Sequence, residues 1–256
     1  MRSLDVQSIF SLLLLAAFSA GCISTQAVVL PTQTSPPVAT APATIEWVPP
    51  TATSTQQPTA VLSPTPDLRP GVAELILDDD FSDEQMWRSS QSDSASAILA
   101  NNRLTLATDL PNGLLLTTRP EPAFGDFYAE LSVSPSLCSG VDEYGFVVRA
   151  SATGDHYRFA LSCDGRAKVE RIYNGASSLQ AQWVENPLIP SRAPSNIRLG
   201  VWASGSDLRF FINDFYLFEV RDTVVYRGTL GVFARSRGQG ALSVSFSDLQ
   251  VWALEE

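Results

Sequence analysis

Apolar and polar positions alternate with a period of two along much of the chain after residue 71, and this period predicts β-strands. The clearest stretch is residues 143–173, where three runs rich in β-branched and aromatic residues are separated by the turn-forming clusters ATGD and CDGR. The second run alternates an apolar set with a mixed set, namely Tyr157, Phe159 and Leu161 against His156, Arg158 and Ala160. The pattern predicts an antiparallel meander with one apolar face.

Similar short runs predict further strands on both sides of this meander. They cover residues 74–77, 95–99, 103–107, 114–118, 127–133, 181–185, 196–203, 208–213, 215–220, 229–234 and 242–252. Pairs such as Asn101-Asn102 and Asn213-Asp214 mark turns between neighbouring runs. Many short strands at regular spacing, with no helical pattern, predict an all-β fold of the sandwich or jelly-roll type.

The N-terminus has a different pattern. Residues 9–20 form an apolar run that is too short for a membrane span but suits the core of a signal peptide. The run ends in Ser19-Ala20-Gly21-Cys22, which resembles the lipobox of bacterial lipoproteins, where the cysteine is lipidated and becomes the mature N-terminus. We therefore predict a lipoprotein signal peptide at residues 1–21 and a lipid anchor on Cys22, at the extracytoplasmic face of the cell membrane. An ordinary cleaved signal peptide and an uncleaved anchor are the alternatives, and each of them also exports the domain.

Residues 22–70 are rich in Thr, Pro, Ala and Ser and show no sustained period. Proline removes backbone donors and favours extended polyproline II, so a segment of this composition acts as a spacer. We predict a disordered linker over 22–70 and a β-sandwich domain over 71–256.

Charge and cysteine content narrow the functional classes. The chain has 27 acidic and 17 basic residues and a net charge of −10, which argues against nucleic acid as a partner. With Cys22 assigned to lipid, Cys138 and Cys163 remain, and in an exported protein two remaining cysteines usually pair. We predict a Cys138–Cys163 disulfide, with two reduced, packed thiols as the alternative.

Several phrases together resemble a concanavalin A-like lectin/glucanase jelly-roll domain, of the kind found in laminin G-like and glycoside-hydrolase-16-like proteins. These phrases are LILDDDFSD, FGDFYAELSV, EYGFVVRAS, HYRFALSCDG and the ending from NIRLGVWASGSDLRFFINDFYLFEV to VSFSDLQV. The resemblance covers residues 73–254 and implies a jelly-roll β-sandwich. It implies no single function, because this fold hosts lectins, enzymes and spacers alike.

The resemblance also implies a place for a metal. Related carbohydrate-binding modules hold a structural calcium where the first and last strands meet, and oxygen ligands suit that ion. Asp80, in an acidic turn, and Asp248, in the last strand, are the corresponding candidates. A plain acidic turn is the alternative.

A catalytic motif is not complete in this sequence. Laminarinase-like relatives carry Glu-x-Asp-x-Glu on one strand, and the nearest approach here is Asp126 and Glu130 with Tyr128 between them. We predict two solvated acids on an outer face. The single histidine, His156, follows a turn, and no Gly-x-Ser-x-Gly elbow is present. We therefore do not predict an enzyme.

A sugar site on a β-sandwich needs aromatic rings for stacking and polar groups for hydroxyls. The candidates off the buried alternation are Tyr144, Arg149, His156, Arg158, Arg171, Tyr173 and Trp183, whereas Trp87, Trp202 and Trp252 are predicted in the core. We interpret the chain as an exported, lipid-anchored cell-surface protein whose domain binds an extracellular carbohydrate. A structural or protein-interaction module of the envelope and a glycan-active hydrolase of the same fold are the alternatives.

Overall fold

The computed structural model describes residues 66–238 and 240–255. The predicted signal peptide, the lipidation site Cys22 and most of the predicted linker lie outside these residues. The described part consists of strands, turns and loops, and it includes no helix that is long and apolar enough to cross a membrane.

The strands form two antiparallel sheets that pack face to face. They are β1 Val72–Asp79, β2 Ser90–Gln91, β3 Ala95–Ala100, β4 Arg103–Thr108, β5 Leu114–Thr118, β6 Phe127–Leu137, β7 Glu143–Ala150, β8 His156–Ser162, β9 Arg166–Tyr173, β10 Ala176–Glu185, β11 Ile197–Ser204, β12 Asp207–Ile212, β13 Phe215–Arg221, β14 Thr229–Arg235 and β15 Leu242–Leu254. The nine-stranded sheet has the order β13-β12-β11-β6-β15-β4-β3-β2, with β1 also paired to β15. The six-stranded sheet has the order β10-β9-β8-β7-β14-β5. The prediction of an all-β sandwich is confirmed.

Hairpin turns set the register of the strands. Asn101 and Asn102 both have positive φ, as do Asn213 and Asp214, which is the backbone geometry of a tight two-residue hairpin turn. A further turn lies at Asn174-Gly175, where φ is +50° and +76°. This turn and the first half of β10 were not predicted, and neither was β2, because two residues carry no period.

The main core lies between the two sheets. On β8 the inward side chains are Tyr157, Phe159 and Leu161, all fully buried, as the alternation predicts. The ring of Phe159 lies 4.9 Å from that of Phe210 on β12 in the opposite sheet, with an interplanar angle of 49°. Burial of large side chains of this kind stabilises a fold by about 2 to 3 kcal/mol each, so the interior holds the two sheets together.

The meander differs from the prediction on its other face. Arg158 and Ala160, which the alternation places outside, are 4% and 0% exposed, and His156 is 8% exposed. Charged and small side chains of β7, β9 and β14 lie beside them in register. The predicted apolar face is present, but the expectation of half-buried strands is wrong: the opposite face is also buried, and it carries charged side chains beside the apolar cluster of Val147, Ala150, Ala160 and Phe233.

A disulfide joins Cys138 and Cys163, whose Cα atoms are 5.6 Å apart. Cys138 follows β6 and Cys163 follows β8, so the bond ties the meander of the six-stranded sheet to the end of β6 in the nine-stranded sheet. It closes a sequence separation of 25 residues.

The outer face of the nine-stranded sheet carries an aromatic cluster of Tyr128, Trp202 and Phe211. The chain just before β1 lies on this cluster. Trp202 Nε1 donates to the Pro70 carbonyl at 3.0 Å, and the Arg69 guanidinium lies 5.3 Å from the centre of the Tyr128 ring. The last residues of the predicted linker therefore pack on the sandwich. Trp87 is in the main core, as predicted, whereas Trp202 and the partly buried Trp252 belong to this outer cluster.

Candidate functional site

A cluster of charged side chains lies on the outer face of the six-stranded sheet. We call it the outer-face cluster, and it consists of Glu143 on β7, Arg158 on β8, Lys168 and Glu170 on β9, and Arg235 on β14. The register explains why these residues meet. Glu143 pairs with Arg235, and Arg158 pairs with Glu170, while their chain neighbours point into the core.

Lys168 links the two carboxylates of the cluster. Its Nζ donates to Glu143 Oε1 at 3.1 Å and to Glu170 Oε1 at 2.8 Å. Arg158 adds an ion pair with Glu170 at 3.4 Å, and Arg237 donates to Glu143 at 2.9 Å. Three cationic groups thus contact the two carboxylates of the cluster.

Five polar atoms on this face are buried without a hydrogen-bond partner within the described structure. They are Glu143 Oε2, Arg158 Nε, Glu170 Oε2, Arg235 Nε and His156 Nε2. A buried polar group without a partner costs about 1 to 3 kcal/mol, so native proteins seldom keep several together without a reason. This set contains both donors and acceptors on one sheet face, which matches a ligand whose groups both donate and accept.

The backbone beneath the cluster carries small side chains. Gly145, Val147 and Ala160 occupy outward positions in the centre of the sheet, and Gly231 lies beside Val147 on β14. A Cβ on Gly145 would lie 2.0 Å from the Phe159 carbonyl oxygen, and one on Gly231 would lie 2.5 Å from that of Thr117. Glycine at these positions is therefore a steric requirement, and the fully buried Phe233 side chain, opposite Gly145 on β14, fills the middle of this face.

Trp183 on β10 lies at the margin of the cluster and is partly exposed. Lys168 Nζ lies 4.6 Å from the centre of its ring, and the Arg166 guanidinium carbon lies 5.0 Å from it. Cation–π contacts of this kind hold an indole in a fixed orientation. The face therefore combines a fixed aromatic ring with unpaired polar groups.

Burial and neighbouring charge shift several pKa values on this face. Burial alone would raise the pKa of Glu170, but the hydrogen bond and charge of Lys168 and the charge of Arg158 lower it below 4.5. Burial lowers the pKa of His156 below 6.5, and the charge of Arg158 adds to this effect. His156 Nδ1 lies 2.7 Å from the Gly154 carbonyl, so in the neutral ring Nδ1 carries the proton and Nε2 is an acceptor. At neutral pH, Glu170 is ionised and His156 is uncharged.

The structure brings three of the seven sequence-predicted ligand residues to this face: His156, Arg158 and Trp183. Tyr144 is not among them. It is 1% exposed and lies in the main core, where it pairs with Leu161 on the inward side of the meander. The expectation that Tyr144 lies off the buried alternation is wrong.

Arg149 also departs from the prediction that it faces the same way as Arg158. It lies at an irregularity in the β7–β14 pairing and has a φ of +54°, so the alternation of β7 ends before it. Its guanidinium is fully buried and donates to the carbonyls of Gly125, Gly205 and Val225, at 2.9, 2.9 and 3.2 Å for the shortest contact with each. Arg149 holds three loops together and is not available to a ligand.

Arg171 and Tyr173 lie away from the outer-face cluster. Arg171 donates to Asp222 at 2.5 Å, and Asp222 also accepts from the Tyr157 hydroxyl at 2.8 Å. Burial, with a contribution from Asp222, raises the pKa of Tyr157 to about 12. Tyr173 is 43% exposed at the end of β9, beside the turn into β10.

The two acids considered for catalysis are not both solvated, which corrects that expectation. Glu130 is 7% exposed, accepts from the Tyr128 hydroxyl at 2.5 Å and is ion-paired with Arg198 at 3.1 Å. Asp126 accepts from the Gly205 amide at 2.8 Å. Both carboxylates are therefore engaged in contacts that hold loops and strands in place.

The calcium candidates are close in register but do not fit the ion. Asp79 pairs with Leu249, so continuation of this register places Asp80 opposite Asp248, which lies at a bulge in β15. Asp80 already accepts from the Ser82 amide and from Asn102, and Asp248 accepts from Ser247. Calcium takes 6 to 8 oxygen ligands, and among the described residues no three His, Cys, Asp or Glu side chains come together.

Sequence reasoning missed Glu143, Lys168, Glu170 and Arg235. The signal was present, because in the run AKVERIY the charged residues Lys168 and Glu170 alternate with the apolar residues Ala167 and Val169. The turn at residues 163–165 would have placed that run beside Arg158. The burial of these charges could not be predicted from the sequence, because it depends on how β7, β8, β9 and β14 pair in one sheet.

Comparisons with known proteins identify similar folds but no family for this chain. No family model matches the sequence, and no curated protein matches it. Among solved structures, the carbohydrate binding module CBM66 from Bacillus subtilis has a TM-score of 0.51 and 14% identity, over 66% of this chain and 96% of that one.

Two further structures have similar values. A protein of unknown function with a galectin-like fold from Bacillus subtilis has a TM-score of 0.56 and 14% identity, over 72% of this chain and 99% of that one. A GH16 protein of Bacteroides ovatus, in complex with a G4G4G3G product, has a TM-score of 0.50 and 9% identity, over 68% and 99%. Identities this low establish a common fold only. The described part of the chain has a jelly-roll β-sandwich fold, as its sequence indicates.

Proposed function

We propose that this domain binds a carbohydrate on the outer face of its six-stranded sheet, at the outer-face cluster and Trp183. The observation that carries the proposal is the set of five buried donor and acceptor atoms on that face that have no hydrogen-bond partner among the described residues, one of which, Glu170 Oε2, is ion-paired with Arg158. Sugar hydroxyls both donate and accept hydrogen bonds, and a sugar ring stacks on an indole. The carbohydrate-binding module and the glycan-complexed protein of the same fold support this class of ligand.

We propose further that the protein is exported and anchored by lipid on Cys22, at the extracytoplasmic face of the cell membrane. The support for this part is the sequence alone, through the apolar run and the small residues before Cys22. A Cys22→Ala variant should be released into the medium, whereas retention of the variant in the membrane fraction would contradict the anchor.

Binding without hydrolysis is the better-supported activity at this face. Lys168 contacts both carboxylates, which places Glu143 and Glu170 within about 6 Å of each other, close to the spacing of retaining glycosidases. However, the ammonium group lies between them, and the pKa of Glu170 is lowered rather than raised. A general acid needs a raised pKa to protonate a leaving group.

The test is a glycan-array screen of the purified full chain, followed by calorimetry on each glycan that binds. We expect binding to one glycan class, no release of reducing ends during incubation, and an unchanged affinity after EDTA treatment. The absence of binding to any neutral or acidic glycan would overturn the proposed function. Release of reducing ends that is lost in Glu170→Gln would replace binding by hydrolysis at the same face.

A further inference from the structure

A concave site lies at the sandwich edge where β5 approaches β2 and β3. We call it the edge cleft, and it has a volume of about 1160 Å³. Its floor is formed by apolar side chains that include Met86, Leu106 and Leu115, and its rim by the segments around Arg88, Pro120 and Arg227. None of the residues of the outer-face cluster lines it.

The charge of the edge cleft is opposite to that of the chain. The whole chain has a net charge of −10. Within the described structure, the cleft is lined by Arg88, Arg119 and Arg227 and by no aspartate or glutamate. Arg119 is neutralised by Asp79, whereas Arg88 and Arg227 are exposed and form no ion pair with any described residue. Two uncompensated guanidinium groups at the rim of a concave site are suited to an oxyanion.

A buried hydroxyl in the same cleft gives an independent indication of a ligand. Thr117 lines the cleft on β5 and is 7% exposed, and its Oγ1 is buried with no hydrogen-bond partner in the described structure. Most buried hydroxyls have a partner. A ligand oxygen inside the cleft would supply the missing partner, while the rim arginines bind a charged group.

We propose that the edge cleft is a second ligand site, which binds an oxyanion-bearing sugar unit through Arg88 and Arg227. The oxyanion is a carboxylate, as in a uronate, or a sulfate ester, and Thr117 contacts a neutral oxygen of the same unit. The choice of a sugar as the carrier rests on the proposed function, whereas the preference for an oxyanion rests on the cleft alone. The protein then prefers acidic polysaccharides over neutral ones of the same backbone.

The test measures binding of the full chain to matched oligosaccharides by calorimetry. The probes are an oligouronate, a sulfated oligosaccharide and their neutral counterparts of equal length. We expect one acidic probe to bind at least about tenfold more tightly than its neutral counterpart, with a preference that falls as salt rises. The pair of acidic probes distinguishes carboxylate from sulfate. Equal affinity for acidic and neutral probes would overturn the proposal.

Variants separate this site from the outer-face cluster. Arg88→Gln with Arg227→Gln should abolish the preference for the acidic probe, while Arg192→Gln, which changes an exposed arginine outside the cleft, should preserve it. Thr117→Val should weaken both members of a probe pair about equally. Loss of the acidic preference in Arg192→Gln, or its persistence in the double variant, would contradict the assignment. If Trp183→Ala leaves glycan affinity unchanged while the double variant loses the preference for the acidic probe, the proposal of a site at the outer-face cluster fails and that of a site in the edge cleft is supported.

Discussion

Asp79 receives three hydrogen bonds at one edge of the main core. The Phe81 amide and Trp87 Nε1 each donate to it at 2.9 Å, and the buried Arg119 guanidinium also donates to its carboxylate. Both partners of the ion pair are almost fully buried, so each charge depends on the other for compensation. Arg119 also lines the edge cleft, so this contact holds one wall of the cleft in place.

Replacement of Asp79 by Asn tests this interaction. The variant leaves a buried guanidinium without a counter-charge, and we expect the free energy of unfolding to fall by about 3 to 5 kcal/mol. Urea denaturation measures the change. Asp78→Asn is the matched control, because Asp78 is exposed and its replacement should change stability by less than about 0.5 kcal/mol. A variant at Asp79 that is as stable as the control would contradict the role assigned to the ion pair.

His156 gives a pH-dependent contribution with a definite sign. Its pKa is lowered in the folded state, mainly by burial, so near pH 6 the unfolded chain binds a proton that the folded chain does not. Stability should therefore fall as pH decreases from about 8 through the unfolded-state pKa of about 6.5. His156 is the single histidine of the chain, so His156→Gln should remove most of this slope. A wild-type stability that is constant between pH 8 and about 5.5 would contradict the account.

For single residues, the sequence predicted which face of a strand a side chain occupies better than it predicted the contacts of that side chain. Arg158 and Trp183 were predicted off the apolar face, and both lie on the outer face of the six-stranded sheet. Arg149 was predicted beside them, but a bulge with a positive φ turns its side chain towards three loop carbonyls. A local irregularity of this kind depends on which strand pairs with β7, and the sequence near Arg149 does not carry that information.

Among the structural elements, the meander and its disulfide connect the two sheets. The strands themselves were predicted within a few residues, because alternation and turn pairs are local signals. The exceptions are β2, which has two residues, and the start of β10, where the Asn174-Gly175 signal was overlooked. Burial of the outer face of β8 was not predictable from its own sequence, since it arises from charged residues on three neighbouring strands.

The disulfide makes a testable contribution to the stability of the meander. Chain-entropy arguments for a loop of about 25 residues predict that it stabilises the fold by about 3.5 kcal/mol. Cys138→Ala with Cys163→Ala should lose about that amount in urea denaturation, and a reducing agent should have a similar effect on the wild type. Cys22→Ala serves as the control that removes a cysteine but leaves the bond intact. Equal stability of the double variant and wild type would show that the cross-link does not constrain the unfolded chain.

At the scale of the whole molecule, two sites of different chemistry lie on different parts of one sandwich. The outer-face cluster holds unpaired donors and acceptors beside an indole, and the edge cleft holds exposed arginines over an apolar floor. The fold was predictable from strand number and turn spacing. The edge cleft was not predictable, because its lining comes from six separate parts of the chain between residues 85 and 229, and no local motif joins them.

The aromatic cluster on the opposite outer face explains how the segment before β1 is held. Gly71, with a φ of +75°, accepts a hydrogen bond from the Glu255 amide at 2.7 Å, and Arg209 donates to the Leu68 carbonyl at 3.0 Å. Any fragment prepared for binding studies should therefore retain these residues.

The affinity of the Trp183→Ala variant for the glycan that binds the wild type is the most direct test of the central claim. Stacking on the indole contributes to binding only if the sugar lies on the outer face of the six-stranded sheet, and we expect the variant to bind about tenfold or more weakly. Phe215→Ala is the matched control, since Phe215 is 61% exposed on the other sheet, and its affinity should equal that of the wild type. Wild-type affinity in Trp183→Ala, or an equal loss in Phe215→Ala, would contradict glycan binding at this face.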